Sequence, residues 1–248
     1  MSNHLSPAQR HAARVLAAKA AAQSKHGEQV QGSAYELMLA KLINDKQRLK
    51  AIKSIQRKIE LKREILPDYQ DWIDSTLQYG NGAQDVVITT VLVWMIDAGE
   101  YKRALDIAQY CMVHSLALPD QYARDVPTML LDEIPGAYLE GRMSGPDISP
   151  LVAIDTLKAV QLLTIDADVP DQATAKLYKA LGYAQIGKVG NAEVDVDVLT
   201  EFIASRALEY LHKALDLFQG IGVKKDIERL ERRLKKAPDT TAQETPPA

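Results

Sequence analysis

Val86-Val-Ile-Thr-Thr-Val-Leu-Val-Trp-Met-Ile96 is the stretch of sequence that decides the fold class. Its β-branched residues are typical of a buried strand, but a short apolar run without alternation also fits a helix buried on all sides. The run lies between segments of helical pattern, and Gln84-Asp85 after a glycine turn offers a helix start. We therefore predict a buried helix here and an all-α fold for the chain.

Helical patterns continue on both sides of this run. One long helix is predicted over Ser33–Leu66, where Pro67 ends it. Two helix pairs, Val91–Leu116 and Leu177–Gln219, have the look of helical-repeat units. We expect an N-terminal basic helical arm followed by a helical bundle with repeat-like helix pairs. The other predicted helices run from Pro7 to Gln23 and over Asp68–Tyr79, Tyr101–Leu116, Ser149–Ile165, Asp171–Ile186, Val198–Gln219 and Lys224–Lys235.

The charge of the chain is distributed unevenly, although its formal net charge is only −3. Residues 1–66 hold 13 basic and 5 acidic side chains, residues 67–223 hold 10 and 23, and residues 224–248 hold 7 and 5. We predict three parts from this: a basic helical arm (1–66), an acidic helical body (67–223), and a charged helix with a disordered tail (224–248).

The basic arm is the predicted site for DNA. Residues 41–63 alone carry nine Lys or Arg against two acids, which suits a phosphate backbone. A solvated helix face that serves only solubility remains the alternative. The predicted DNA-binding residues are Arg10, Arg14, Lys19, Lys46, Lys50, Lys53, Arg57 and Lys58.

The same arm carries a heptad-like apolar pattern, formed by Leu42, Leu49, Ile52 and Ile59. We predict that these residues form an exposed stripe that binds other copies of the chain, giving a homo-oligomer. Packing of the stripe on its own chain is the alternative.

Few features of the sequence point to a catalytic centre. Gly182 to Lys188 has the spacing of a phosphate-binding loop, but Val189 stands where a magnesium-binding Ser or Thr is needed, and the segment reads as helical. Asp85, Glu100 and Lys102 could imitate a nuclease set, but Glu100 and Lys102 read as a helix opening. We predict no catalytic residue, no metal site and no cofactor, and keep a metal-dependent endonuclease as an alternative.

The single Cys111 excludes an internal disulfide framework and any zinc site with several thiolates. It fits a reducing compartment. Val86–Ile96 is too short to span a bilayer, and no secretory signal pattern opens the sequence. We expect a cytosolic protein with no membrane contact.

Taken together, the motifs resemble the small terminase subunit of cos-type tailed temperate phages, a family often labelled the terminase endonuclease subunit. The resemblance spans nearly the whole chain. The stretches that carry it are Ser6–His11, Tyr35–Leu42 continuing to Leu49–Ile52, Lys62–Pro67 with Trp72, Gly82–Asp85 leading to Trp94, and Gly222–Arg232.

The resemblance implies a multisubunit ring that recognises double-stranded phage DNA in the host cytoplasm. It also implies a partner, the large terminase subunit, which carries the ATPase motor and nuclease. We expect the acidic body to contact that subunit, and we expect this chain to direct cos cleavage and genome packaging without cutting DNA itself. A helical-repeat scaffold without DNA contact is the third alternative.

Overall fold

The computed structural model describes residues 7–143 and 149–236, with side chains from residue 11 onward. Within these ranges the fold is all-α, as predicted, and the β structure is limited to one parallel bridge between Gln29 and Gln84. The predicted tail from Pro238 lies outside the described residues. The helices are α1 Pro7–Gln23, α2 Ser33–Ala51, α3 Ile55–Ile65, α4 Gln70–Tyr79, α5 Val86–Ala98, α6 Tyr101–Val113, α7 Val126–Leu139, α8 Pro150–Thr164, α9 Asp171–Gln185, α10 Glu201–Leu217 and α11 Lys224–Lys235, with 3-10 turns at Leu66–Tyr69 and Val196–Val198.

Helix α5 confirms the prediction for the deciding stretch. Every residue from Val87 to Ile96 is buried. The Asp85 carboxylate caps the helix by accepting two backbone N–H bonds of its first turn, at 2.8 and 3.1 Å, and Gly99 ends it with a φ of 84°. The hydroxyls of Thr89 and Thr90 donate to carbonyls one turn back, so neither leaves an unpaired polar group in the core.

The long helix predicted over Ser33–Leu66 is wrong in one respect, because it breaks at residues 52–54. Ile52 is extended, with a ψ of 130°, and the Ser54 hydroxyl accepts a bond from the backbone N–H of Arg57 to begin α3. Serine favours the N-cap position over a helix interior, which explains a break without proline or glycine. We call residues 52–54 the elbow.

Helix α7 was not predicted. Val126–Leu139 is helical although it contains Pro127, Pro135 and Gly136. Pro127 lies in the first turn, where its missing N–H has no helical partner to lose. Asp125 caps this turn by accepting a bond from the N–H of Thr128 at 3.0 Å.

Helix α1 is part of the packed fold, because it packs along α4. Ala17, Ala20 and Ala21 are buried in this contact, and their small side chains let the two helices approach closely. Nearby, the Ser75 hydroxyl lies 3.3 Å from the carbonyl of Arg14 and the amide of Asn81 donates to the carbonyl of Ala22.

The chain divides into two compact units. The first runs to Glu133 and includes Leu163–Ala167, and the second comprises Ile134–Leu162 and the chain from Asp168 onward. The charge boundary at residues 66 and 67 falls inside the first unit, so it separates charge rather than packing units.

Within the first unit α5 packs against α2, α3, α4 and α6; within the second, α10 packs against α9 and α11. The predicted pairs α5–α6 and α9–α10 are therefore in contact, and their likeness to repeat units stays a prediction. None of the helices in the described ranges is both long and apolar enough to span a bilayer.

Candidate nucleic-acid interface

The nine cations of residues 41–63 fall into two groups. The first group, which we call the inner cations, comprises Lys41, Arg48, Lys62 and Arg63, and each has a partner within the chain. Lys62 pairs with Asp97, and Arg63 donates to the carbonyl of Ala98 at 2.9 Å. Both bonds tie α3 to the C-terminal end of α5, where the helix dipole favours positive charge.

Asp45 is the centre of the other inner contacts. Its carboxylate is 1% exposed and accepts bonds from Lys41, Arg48 and the hydroxyl of Tyr69, each at 2.9 Å. Lys41 also pairs with Asp68. Burial raises the pKa of Tyr69, and its bond to Asp45 raises it further, so the phenol stays a donor. This network keeps α2 joined to the turn before α4.

The side chains of the five remaining cations form no hydrogen bond or ion pair in the part of the chain that the structure describes. Lys50, Lys53 and Arg57 are exposed, whereas Lys46 and Lys58 are half-buried. Burial lowers the pKa of Lys46. They occupy the last turns of α2, the elbow and the first turn of α3, which contains no acid. We call them the outer cations: Lys46, Lys50, Lys53, Arg57 and Lys58.

The three predicted DNA contacts on α1 differ from one another. Arg14 is bound to Asp71 at 2.9 Å, although its side chain is largely exposed. Lys19 is exposed and has no partner among the described residues. The side chain of Arg10 lies outside the described residues. Of the two whose side chains are described, only Lys19 therefore resembles the outer cations.

The apolar residues predicted to bind other copies are not an exposed stripe, and this expectation is corrected. Leu42 and Leu49 are buried within the chain, because the elbow lets α2 and α3 each pack toward α5. Ile52 and Ile59 are half-buried. The sequence pattern did not single out Ile55, which is 76% exposed among the outer cations.

The structure does not bring the considered nuclease residues together. Asp85 precedes α5 and Glu100 follows it, so a helix rise of 1.5 Å per residue separates them by about 20 Å. One metal ion binds its carboxylate ligands within roughly 2.6 Å, so the two cannot share it. Among the described residues, no three His, Cys, Asp or Glu side chains cluster as metal ligands.

Asp85 has a structural position instead. It is fully buried, accepts a bond from the indole N–H of Trp72 at 2.8 Å in addition to its two cap bonds, and has no cation beside it. Burial raises its pKa to about 6. Glu100 is largely exposed. Its partial burial raises its pKa, although the positive charge of Arg63 acts to lower it.

The segment with the spacing of a phosphate-binding loop, Gly182 to Lys188, does not begin with a loop. Gly182 is buried inside α9, where a Cβ would come within 2.6 Å of the Leu211 side chain. The absence of a side chain at Gly182 lets α9 pack closely on α10. Gly187, with a φ of 72°, follows the end of the helix.

A family model described as phage small terminase subunit matches residues 39–172, a range that contains the elbow and all of the outer cations. The chain belongs to this family. It is 38% identical to the terminase, endonuclease subunit of Escherichia phage P2 over 235 residues, covering 94% of this chain and 87% of the relative. It is 25% identical to the probable terminase, endonuclease subunit of Haemophilus phage HP1 over 205 residues, covering 82% and 71%.

No solved structure matches the chain. Membership in the family gives the chain a role in phage DNA packaging and confirms the resemblance noted in its sequence.

Proposed function

We propose that this small terminase subunit binds double-stranded phage DNA through the outer cations, assembles as a ring, and directs the large terminase subunit in cos cleavage and genome packaging. The observation that carries the proposal is the division of one basic segment into two groups. The side chains of the inner cations have partners within the fold, and those of the outer cations have none among the described residues. Unpaired cations grouped on one surface are suited to phosphates.

The geometry of the elbow adds to this argument. Its extended backbone joins the end of α2 to the start of α3, so cations from the two helices follow one another closely along the chain. The first-turn N–H groups of α3 add the positive end of a helix dipole. Several copies in a ring would multiply these weak contacts into useful avidity.

The test is the salt dependence of binding to a cos-containing duplex. The variant Lys50→Gln, Lys53→Gln, Arg57→Gln should lower the slope of log affinity against log salt by about 2 to 3 per subunit that contacts DNA, since each phosphate contact adds about 0.9. The matched control is Lys102→Gln, Lys158→Gln, Lys213→Gln, which removes three exposed cations elsewhere. Equal slopes for the two variants would contradict the proposal.

Ring assembly uses apolar surface that differs from the original expectation. Because Leu42 and Leu49 are buried, contacts between copies would use the accessible residues Ile52, Ile55 and Ile59. Native mass spectrometry should show a discrete multimer, and Ile55→Asp should shift it toward monomer. A monomeric wild-type protein would contradict the ring, whereas an unchanged multimer in the variant would contradict the use of Ile55.

The names of the two relatives favour one alternative, an endonuclease in its own right. Incubation of the pure protein with cos DNA and Mg²⁺ or Mn²⁺ separates the two functions. We expect intact DNA until the large subunit and ATP are added. In the infected cell this reaction would take place in the host cytoplasm. Specific cutting by this subunit alone would establish the alternative. A third function, a scaffold without DNA contact, predicts no salt-dependent binding at all.

A further inference from the structure

Helix α11 carries a second set of cations that the elbow proposal does not use. The helix has a buried face that packs toward α10 and includes Ile227 and Leu230. The rotation of α11 about its axis is fixed on both flanks by specific bonds, so the direction of its remaining face is defined. The contacts on those flanks determine which cations of α11 lie on the remaining face.

Four charged residues of α11 are engaged beside the buried face. Glu231 lies 3.6 Å from the His212 imidazole on one flank, and the other three bind groups on the opposite flank. Asp226 accepts bonds from the Lys188 ammonium at 2.8 Å and the Tyr183 hydroxyl at 2.7 Å. Arg229 donates to the carbonyl of Val194 at 3.0 Å. On the same side, Arg233 donates to the carbonyl of Leu199 at 2.8 Å. These three residues hold the helix to its neighbours.

The outward face has a different character. It bears five exposed cations and one acid, Glu228, and no side chain of these six forms a hydrogen bond or ion pair in the described part of the chain. Steps of three and four residues place Lys224, Glu228, Arg232 and Lys235 in one row, and the other two cations beside it. We call this set the α11 row: Lys224, Lys225, Arg232, Lys235 and Lys236.

Helix stability accounts for only part of this row, because Arg232, Lys235 and Lys236 lie at the C-terminal end of α11, where the helix dipole favours positive charge. Lys224 and Lys225 are at the N-terminal end of α11, where the helix dipole disfavours positive charge. Glu228 has the spacing to pair with Lys224 and with Arg232, yet no ion pair forms. The row therefore contributes no contact to the fold that the anchoring residues do not already provide.

We propose that the α11 row is a second binding surface for duplex DNA, which contacts phosphates independently of sequence. Its length of about 18 Å, from 12 residues at 1.5 Å each, spans several phosphates. The row contains no apolar or aromatic side chain. It therefore lacks the apolar face that a membrane-surface helix needs and the anchors that a protein interface uses. The proposal rests on DNA binding by this subunit but on none of the outer cations.

A nearby acidic loop determines which side of the row approaches the duplex. Glu193, Asp195 and Asp197 are exposed in the loop whose carbonyls bind Arg229 and Arg233. Repulsion of DNA is therefore strongest on that flank. Lys224, Arg232 and Lys235 lie farther from that flank than Lys225 and Lys236, and they should make the main contacts.

The experiment measures binding of the full chain to a duplex across a range of salt concentrations. The variant Lys224→Gln, Arg232→Gln, Lys235→Gln should reduce affinity on the order of tenfold or more at low salt and lower the salt slope by about 2 to 3. The control Lys102→Gln, Lys158→Gln, Lys213→Gln has the same charge change away from α11. Glu228→Gln should have the opposite effect and strengthen binding, because it removes the exposed acid that lies among the cations of the row.

The outcomes separate this proposal from the elbow proposal. An α11 variant that binds with wild-type affinity and slope, or that weakens no more than the control, would overturn the α11 proposal. Loss of affinity with Lys224→Gln, Arg232→Gln, Lys235→Gln but not with the elbow variant would support α11 and contradict the elbow. Loss with both, adding in the combined variant, would support two surfaces.

Discussion

The inner and outer cations occupy the same 23 residues of sequence, 41–63, but have different surroundings. Lys41 and Arg48 are bound to the buried Asp45, whereas the exposed side chains of Lys50, in the last turn of α2, and Lys53, in the elbow, have no partner in the described chain. A run of like charge is therefore not one feature. The inner members are accounted for by the fold, and only the outer members remain available to a polyanion.

A second contrast concerns the two buried carboxylates, Asp45 and Asp85. Asp45 is buried with two cations and a phenol, and Asp85 is buried with an indole N–H and the first turn of α5. Burial of a carboxylate is unfavourable unless its charge is balanced or its oxygens are bonded. The first site balances charge, and the second relies on hydrogen bonds to neutral donors.

The largest predicted effect breaks the inner network at its centre. Asp45→Ala should lower the free energy of unfolding by about 3 kcal/mol, because it leaves the Tyr69 hydroxyl unpaired in the core and removes the shared partner of Lys41 and Arg48. Urea denaturation measures this as a lower midpoint at unchanged slope.

The control for this change is Asp68→Ala, which removes the exposed second partner of Lys41. It should cost less than about 1 kcal/mol, as exposed ion pairs do. Similar midpoints for the two variants would show that Asp45 does not organise the inner cations.

The second effect follows from the raised pKa of Asp85. Because its pKa is about 6 in the folded protein and near 3.8 when unfolded, the folded state binds more protons between these values. The contribution of Asp85 to stability is thus fully present below about pH 4 and is lost as the pH rises through about 6. The loss should amount to about 3 kcal/mol, since each pKa unit is worth about 1.4 kcal/mol.

Other carboxyl groups also titrate in this range, so the measurement compares wild type with Asp85→Asn. Subtracting the unfolding free energies at each pH leaves the slope due to Asp85. The variant should be less stable at low pH, because the side-chain NH2 group of Asn cannot accept the Trp72 N–H bond. A pH-independent difference would show that Asp85 keeps an ordinary pKa.

Much of the fold follows from local chemistry that the sequence displays. Asp85 and Gly99 mark the ends of α5, and the apolar run between them determines its burial. The elbow was missed because the heptad-like pattern of leucine and isoleucine continues through Ile52, and Ser54 is a weaker signal than proline or glycine. Helix α7 was missed for the opposite reason, since Pro127 is compatible with a first turn although it resembles a breaker.

The site was predicted in part, for a related reason. Charge and spacing identified residues 41–63, but partners such as Asp97 and the Ala98 carbonyl come from a segment some 35 residues away. The division between inner and outer cations depends on those long-range contacts, so no local pattern reveals it. The same holds for Leu42 and Leu49, whose burial depends on the bend at the elbow.

The smallest predicted effect on stability gives the sharpest test of the comparison. Lys50→Gln with Lys53→Gln should change the free energy of unfolding by less than about 0.5 kcal/mol, because neither side chain has a partner to lose. Arg48→Gln with Lys62→Gln removes the same charge but also the bonds to Asp45 and Asp97, and should cost about 1 to 2 kcal/mol. DNA affinity should show the reverse order, with the larger loss in the outer pair. If both pairs lowered stability and affinity in parallel, the basic segment would be one continuous surface, and the separation into inner and outer cations would have no functional meaning.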